Sequence, residues 1–280
     1  MMRGMAFRKA KNHLMSFMML SCTLLVLIPL GLIFFHILKM GISSLTLDFF
    51  TQIPKPTGEE GGGMANGMLG SLIMIGGASL IGLPIGILGA IYLSEFGGSK
   101  MSTAIRFAAD VLSGTPSIIT GLVAYTLLVV PMKGFSALAG SVALALIMIP
   151  IVLRTTEEQL KMVPGSLREA SLALGVPFWR TSLKVTLRSA VSGVLTGILL
   201  AVARVAGETA PLLFTALGNQ FWGKNVLQPM AALPLQIFNF AISPYEDWHR
   251  LAWAGALVLV TVMFGLSLTA RYFGRRERRA

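Results

Sequence analysis

Long apolar stretches dominate this chain and limit its fold more than any other feature. Six of them approach the roughly 20 residues that cross a hydrocarbon core, at about residues 14–38, 68–93, 111–131, 134–153, 191–217 and 251–270. Only 12% of the 280 residues are charged and 54% are hydrophobic, whereas a soluble domain carries about a quarter charged residues. A water-soluble globule and a disordered tail are thereby excluded. The single cysteine, Cys22, lies inside an apolar run, which rules out an internal disulfide and a cysteine-based metal cluster. The expected fold is an all-α integral membrane protein with six transmembrane helices, forming one domain over residues 1–280. The first run follows a basic start, as a secretory signal does, but it is far longer than the roughly 7–15 apolar residues of a signal core. It is expected to stay as a helix.

The charges then orient the spans. The net charge is +11, from 23 Lys+Arg against 12 Asp+Glu. With the N-terminus inside, 17 basic residues fall on the cytoplasmic side, in the tail, the loop around Lys100 and Arg106, residues 154–188 and the C-terminus. Five (Lys39, Lys55, Lys133, Lys224 and Arg250) fall outside. This is a strong positive-inside bias, so the basic balance reports topology, and nucleic-acid binding is not expected. Trp179 at the inner interface and Trp222, Trp248 and Trp253 at the outer one agree with it. Both termini are predicted to be cytoplasmic.

The connections are uneven. A tight outer turn near residues 131–134 predicts an antiparallel hairpin of the third and fourth spans. Pro54, Pro56 and the Gly61–Gly63 run predict an irregular outer loop, and residues 230–242 are too short to span and read as re-entrant or interfacial. Gly82 and Gly86, four apart in the second span, allow another helix to approach closely. Catalytic chemistry finds little support. His13, His36 and His249 are scattered over both sides, and no Ser–His pair lies at membrane depth. Gly218-x-x-x-x-Gly223-Lys224-Asn225 approaches a phosphate-cradling loop but lacks its Ser or Thr and follows no strand. The chain is not expected to be an enzyme or to bind a metal or cofactor itself.

Two constellations remain. In the long inner segment, residues 154–190, Ser166-Leu167-Arg168-Glu169 reads as a capping box, and Gly175 stands where a left-handed stop belongs. They enclose a short helix with Leu167, Ala170, Ser171 and Leu174 in one stripe. Pro177 then opens a second helix, whose Arg180, Lys184 and Arg188 row can meet lipid headgroups. Inside the fifth stretch, Arg204 and Glu208 stand four apart, on one face of a continuous helix. A charge at the bilayer centre costs about 2.5–3.5 kcal/mol on insertion scales, so two such charges need a reason. A structural ion pair is one reading. The other is an arginine facing an anion path, its planar fork matching phosphate oxygens, with Ser113, Thr115, Ser117 and Thr120 as nearby donors.

Glu169-Ala170-Ser171-x-x-x-Gly175 with Val185-x-Leu187 resembles the cytoplasmic coupling loop of ABC-importer permeases, although Ser171 replaces the second Ala and Arg188 a usual Pro. The segments around Thr115-Pro116-Ser117-Ile118, Pro150–Glu157, Ala203–Leu212 (with Gly207-Glu208-Thr209-Ala210-Pro211) and Pro54–Gly63 are similar to the permease subunits of bacterial phosphate importers. The resemblance implies a type I ABC importer permease fold in the bacterial inner membrane. It further implies translocation of inorganic phosphate, with Arg204, Glu208, Thr209, Thr115 and Ser117 on the pathway. Ser166, Glu169, Ala170, Leu174 and Gly175 would couple to an ATPase dimer that carries ATP and magnesium. A homologous second permease and an extracytoplasmic phosphate-binding protein complete the implied assembly. A permease for another oxyanion or solute, and an ATP-independent carrier or channel, are the alternatives; copurification with a chain bearing a true P-loop separates the last from the others.

Overall fold

The computed structural model of the chain describes residues 2–56, 59 and 61–277. Of the residues weighed above, Thr57, Gly58, Glu60, Arg278 and Arg279 lie outside them. The described architecture is helical, and its β-structure there amounts to the isolated bridges Pro54–Gly62 and Leu217–Met230. Helices α1 (Met2–Ile42), α3 (Ala65–Glu95), α6 (Ala137–Lys161) and α12 (Glu246–Glu277) are each long and apolar enough to cross a membrane. The other two spans come from bent pairs: α4 (Lys100–Gly114) with α5 (Ser117–Met132), bent by 108°, and α8 (Phe178–Ser189) with α9 (Val191–Ala206), bent by 72°. Short helices α2 (Leu47–Thr51), α7 (Gly165–Ala173), α10 (Ala210–Thr215) and α11 (Leu233–Ala241) fill the connections.

Glycine sets the central packing. Helices α3 and α6 form the most extensive contact in the fold, because α3 presents a row without side chains. A Cβ added at Gly77 would stand 2.6 Å from Ser141 Oγ, at Gly82 3.3 Å from Met148, and at Gly86 2.9 Å from Val152. The close approach expected of Gly82 and Gly86 is therefore made, by α6. Met74, Ala78, Leu144, Met148, Val152, Ala201, Val205, Leu212 and Leu235 close one core around this seam. The segment before and within α11 is buried rather than spanning: Met230–Leu233 are nearly inaccessible, and the Leu233 amide donates to Ser71 Oγ at 2.8 Å. At the periphery, α1 exposes its apolar side chains and packs chiefly on α12, where His36 meets Trp253 edge-on at 4.9 Å.

Two expected spans are not continuous helices. The third, expected over residues 111–131, breaks at Thr115–Pro116, where Thr115 is extended (φ −78°, ψ 131°) and Pro116 caps α5. Proline has no N–H to donate and pushes the preceding residue out of the helical region. The fifth, expected over residues 191–217, stops at Ala206; Gly207, Glu208 and Thr209 form the break, and α10 resumes with Pro211 in its first turn. A first-turn proline costs nothing there, since its missing N–H would have had no partner. The fourth span is longer than expected, because α6 runs on through Arg154 to Lys161.

That extension creates a feature that the apolar runs do not show. Glu157 is 1% exposed, yet it accepts from Arg106 Nε at 2.9 Å and pairs with Lys161 at 2.6 Å and Arg154 at 3.6 Å. Arg154 also pairs with Asp110 of α4. Arg106 further donates to the carbonyls of Leu93 at 3.1 Å and Gly97 at 3.0 Å, at the C-terminal end of α3. A guanidinium there caps carbonyls that the helix leaves unpaired. Charge thus ties the C-terminal ends of α3 and α6 to α4.

The glycine seam generates a pair of opposite expectations. Gly86→Leu forces atoms into Val152 and should destabilise by about 1–3 kcal/mol. Gly76→Ala, on the same helix with nothing within 4 Å of its added Cβ, should gain up to about 1 kcal/mol from helix propensity. Thermal unfolding of the detergent-purified protein checks both signs; a Gly86→Leu midpoint at or above the parent would contradict the packing.

Candidate functional site

The two breaks meet. A Cβ added at Gly121 of α5 would stand 2.6 Å from Pro211 Cα, so α5 and α10 cross in contact. Beside this crossing lies a cleft of about 420 Å³ lined by Leu112, Ser113, Gly114, Thr115, Pro116, Ser117, Ile147, Ile151 and Arg204. Ile147 stands ten residues from the start of α6 and Ile151 ten from its end, so each is about 15 Å from the nearer end at 1.5 Å per residue. The cleft thus lies along the middle of α6, away from both of its ends.

Three of the residues nominated for a pathway, Arg204, Thr115 and Ser117, are brought together here, with Ser113. Thr120 is not on the lining; it is buried, and its hydroxyl donates to the Ser117 carbonyl at 2.6 Å. The Thr115 hydroxyl donates to the Val111 carbonyl at 2.7 Å, leaving that oxygen only its lone pairs to offer. Ser117 is the first residue of α5, and Pro116 caps the helix without a side-chain bond. The opening N–H groups of a helix have no intrahelical partner and carry partial positive charge. A guanidinium and a helix N-terminus therefore share one cleft, an arrangement that favours an anion.

Glu208 and Thr209 lie elsewhere. The expected shared helix face of Arg204 and Glu208 does not exist, because the helix ends between them at Gly207, whose amide already bonds the Arg204 carbonyl at 3.3 Å. Among the described residues no ion pair joins Arg204 to any carboxylate. Thr209 caps α10 by its backbone, its carbonyl accepting from Leu212 at 3.1 Å. The structural ion-pair reading of Arg204 and Glu208 is thus removed. Glu157 and Arg106 were missed at the sequence level, though Arg154, Glu157 and Lys161 stand at i, i+3 and i+7, a spacing that clusters charges on one helix face.

The second constellation is displayed on α7. Pro164 is its N-cap (φ −55°, ψ 136°) and makes no side-chain cap bond. The expected Ser166–Glu169 capping box is not formed, because proline already holds the entry conformation and starts the helix at Gly165, placing Ser166 inside the first turn. The expected stop does form. Gly175 has φ +76°, its amide bonds the Leu172 carbonyl at 2.9 Å, and the Val176 amide bonds the Ser171 carbonyl at 3.2 Å. Both closing bonds of a left-handed helix stop are present. Leu167, Glu169, Ala170 and Leu174 are exposed, Leu174 by 84%. Ser171 leaves that stripe: it is buried and shares a 2.8 Å hydrogen bond with Thr181. The next helix, α8, winds as a π-helix over Thr181–Thr186, and Arg180, Lys184 and Arg188 stay exposed on it.

The described fold is that of a multi-pass helical membrane protein with a cleft holding a guanidinium and several hydroxyls, and with a short exposed helix, α7. Residues 82–279 match the model of the family described as "binding-protein-dependent transport system inner membrane component", and the chain belongs to that family. It is 48% identical to the phosphate transport system permease protein PstA of Yersinia pestis, over 98% of this chain and 93% of that protein. It is 51% identical to the PstA of Xylella fastidiosa, over 84% and 82% of the respective chains. Among solved structures, a chain of a bacterial alginate ABC transporter shares the fold with a TM-score of 0.68 at 13% identity, covering 95% of each chain.

The α7 stop generates a local test. Nothing lies within 4 Å of a Cβ added at Gly175, so Gly175→Ala carries only backbone strain, about 1–2 kcal/mol for a left-handed residue. Trypsin should then cut faster after Arg168 and Arg180 than in the parent. Unchanged cleavage would mean that the stop does not hold α7.

Proposed function

We propose that this chain is the membrane-spanning permease subunit of an ATP-driven importer of inorganic phosphate, with Arg204 as the cationic contact of the pathway. The observation that carries this reading is the convergence of Arg204, which has no ion-pair partner among the described residues, and the N-terminus of α5 on one cleft. The PstA names of its relatives supply the substrate class. A phosphate oxygen pair matches the guanidinium fork, and backbone N–H groups at a helix start add donors without adding a titrating group. Glu208 and Thr209 act at one remove, by shaping the break that ends α9 after Arg204.

In this reading the protein works as part of a complex. A homologous second permease completes the membrane unit, and an extracytoplasmic phosphate-binding protein delivers the anion to the outer loops. An ATPase dimer, carrying ATP and magnesium that this chain does not bind, docks on α7 through Glu169, Ala170 and Leu174. Ser166 and Gly175 serve that contact through the helix's first turn and its stop. The complex sits in the inner membrane with both termini of this chain in the cytoplasm, where Arg180, Lys184 and Arg188 face anionic headgroups.

Two experiments test the reading. On a Cys22→Ser background, an impermeant thiol reagent applied to intact cells should label Lys224→Cys and spare Ser166→Cys. Labelling of position 166 without permeabilisation would reverse the topology. In vesicles containing the whole complex, Arg204→Gln should abolish phosphate uptake while assembly persists, since Gln keeps polarity but loses charge and fork. Glu208→Gln should be milder, because no buried pair is broken. Import by Arg204→Gln at the parental rate would remove Arg204 from the pathway.

A further inference from the structure

Arg168 was part of a capping-box motif in the sequence, and the structure gives it different work. From α7 its guanidinium reaches three other elements. It donates to the Leu160 carbonyl in the last turn of α6 at 3.0 Å, to Ser94 Oγ at the end of α3 at 3.3 Å, and to Thr186 Oγ1 of α8 at 3.4 Å. Glu95 Oε1 lies 3.9 Å away as a counter-charge. The other side-chain bond of α7 among the described residues, Ser171 to Thr181, goes to α8. Arg168 is therefore the side chain through which α7 hydrogen-bonds to α3 and α6.

The same two helix ends are gripped a second time. Arg106 holds the Leu93 and Gly97 carbonyls at the end of α3 and the buried Glu157 of α6. Arg106 belongs to α4, whose last three residues, Leu112, Ser113 and Gly114, are wall of the Arg204 cleft. From Arg106 to Gly114 is eight residues of unbroken helix, about 12 Å at helical rise. An unbroken helix therefore runs from that grip to the cleft wall, and the Thr115–Pro116 break separates it from α5.

We infer that Arg168 and the Arg106–Glu157 pair are positioning residues that join movement of α7 to the wall of the Arg204 cleft. The inference rests on reading α7 as the helix that meets the ATPase. Arg168 joins α7 to the ends of α3 and α6, and Arg106 with Glu157 joins those ends to α4. Both linkages are discrete sets of charge-assisted hydrogen bonds that are either made or broken, the kind of element through which two sites couple.

The test uses the assembled complex with its ATPase, in a Cys22→Ser background with Ser113→Cys as reporter on the cleft wall. The labelling rate of position 113 is measured without nucleotide and after trapping with ATP and vanadate. In the parent the two rates should differ by about fivefold or more, the low end of a typical coupling free energy. Arg168→Ala should bring them together while nucleotide trapping and the thermal midpoint of the complex are kept, and Arg168→Lys should restore part of the difference. A merely structural arginine would lower the midpoint and leave the rate ratio alone. Should Arg168→Ala fail to assemble, Glu157→Gln, which weakens the second grip without touching α7, carries the same measurement. A parental rate ratio in either variant, or no nucleotide effect in the parent, overturns the inference. Because the assay needs no phosphate, a complex that responds at position 113 but imports no phosphate would overturn the substrate reading and leave this linkage standing.

Discussion

Every backbone N–H and C=O within a bilayer must find a partner, and irregular backbone survives there only where protein or a polar cavity covers it. This chain interrupts two of its spans, at Thr115–Pro116 and at Gly207–Thr209. It meets the constraint by setting the interruptions beside each other, α5 against α10 at Gly121 and Pro211. The Thr115 hydroxyl covers the Val111 carbonyl, the Thr209 carbonyl receives the Leu212 amide, and the Gly207 amide finds Arg204. The Ile119 amide bonds the Pro116 carbonyl at 2.9 Å, and Ser117, the first residue of α5, lines the cleft with Arg204. The position of the cleft thus follows from where the prolines stand.

Around that pair of breaks the remaining helices act as a frame. The α3–α6 seam is held by close approach at glycine, which gains dispersion where lipid offers no hydrophobic driving force. Its end at the C-termini of α3 and α6 is held differently, by Glu157 and the basic residues around it. A buried carboxylate with three cationic neighbours gives little net stability for its desolvation cost, but removing one partner is expensive. Such a cluster fixes geometry more than it adds stability. Apolar packing along the seam and charge at its end therefore divide the work: the first holds the spans together, and the second registers their ends.

The long-range architecture was legible because hydrophobicity is a one-dimensional signal. Six apolar stretches, the Gly82–Gly86 approach and the left-handed stop at Gly175 can all be found by reading along the chain. The breaks were not read as breaks, because composition alone cannot see a change of direction: residues 191–217 are apolar on both sides of Gly207. The error about Arg204 and Glu208 has the same origin. An i, i+4 spacing means a shared face only if the helix continues, and here it ends between them. At α7 the mistake was one of competing caps, since Pro164 sets the entry two residues before Ser166 can. The Glu157 cluster escaped because its partner Arg106 lies 51 residues away, beyond any local spacing rule, although Arg154 and Lys161 flank it in sequence.

The loss of the Arg204–Glu208 pair changes what the arginine can do. Had the carboxylate been four residues away on the same helix face, it would have occupied the guanidinium fork and competed with any incoming anion. With the helix ended at Gly207, the fork has no carboxylate partner among the described residues, and the α5 terminus on the same cleft adds partial positive charge. Two positive features on one cavity raise its potential, which favours an anion there. The lining also limits how strongly it is held. Thr115 has spent its proton on Val111, and the Ile147 and Ile151 side chains donate nothing. An anion there meets one fork, a helix start and a few hydroxyls, which favours entry yet leaves few bonds to break on departure. For the pathway proposed here, that balance matters more than tight binding.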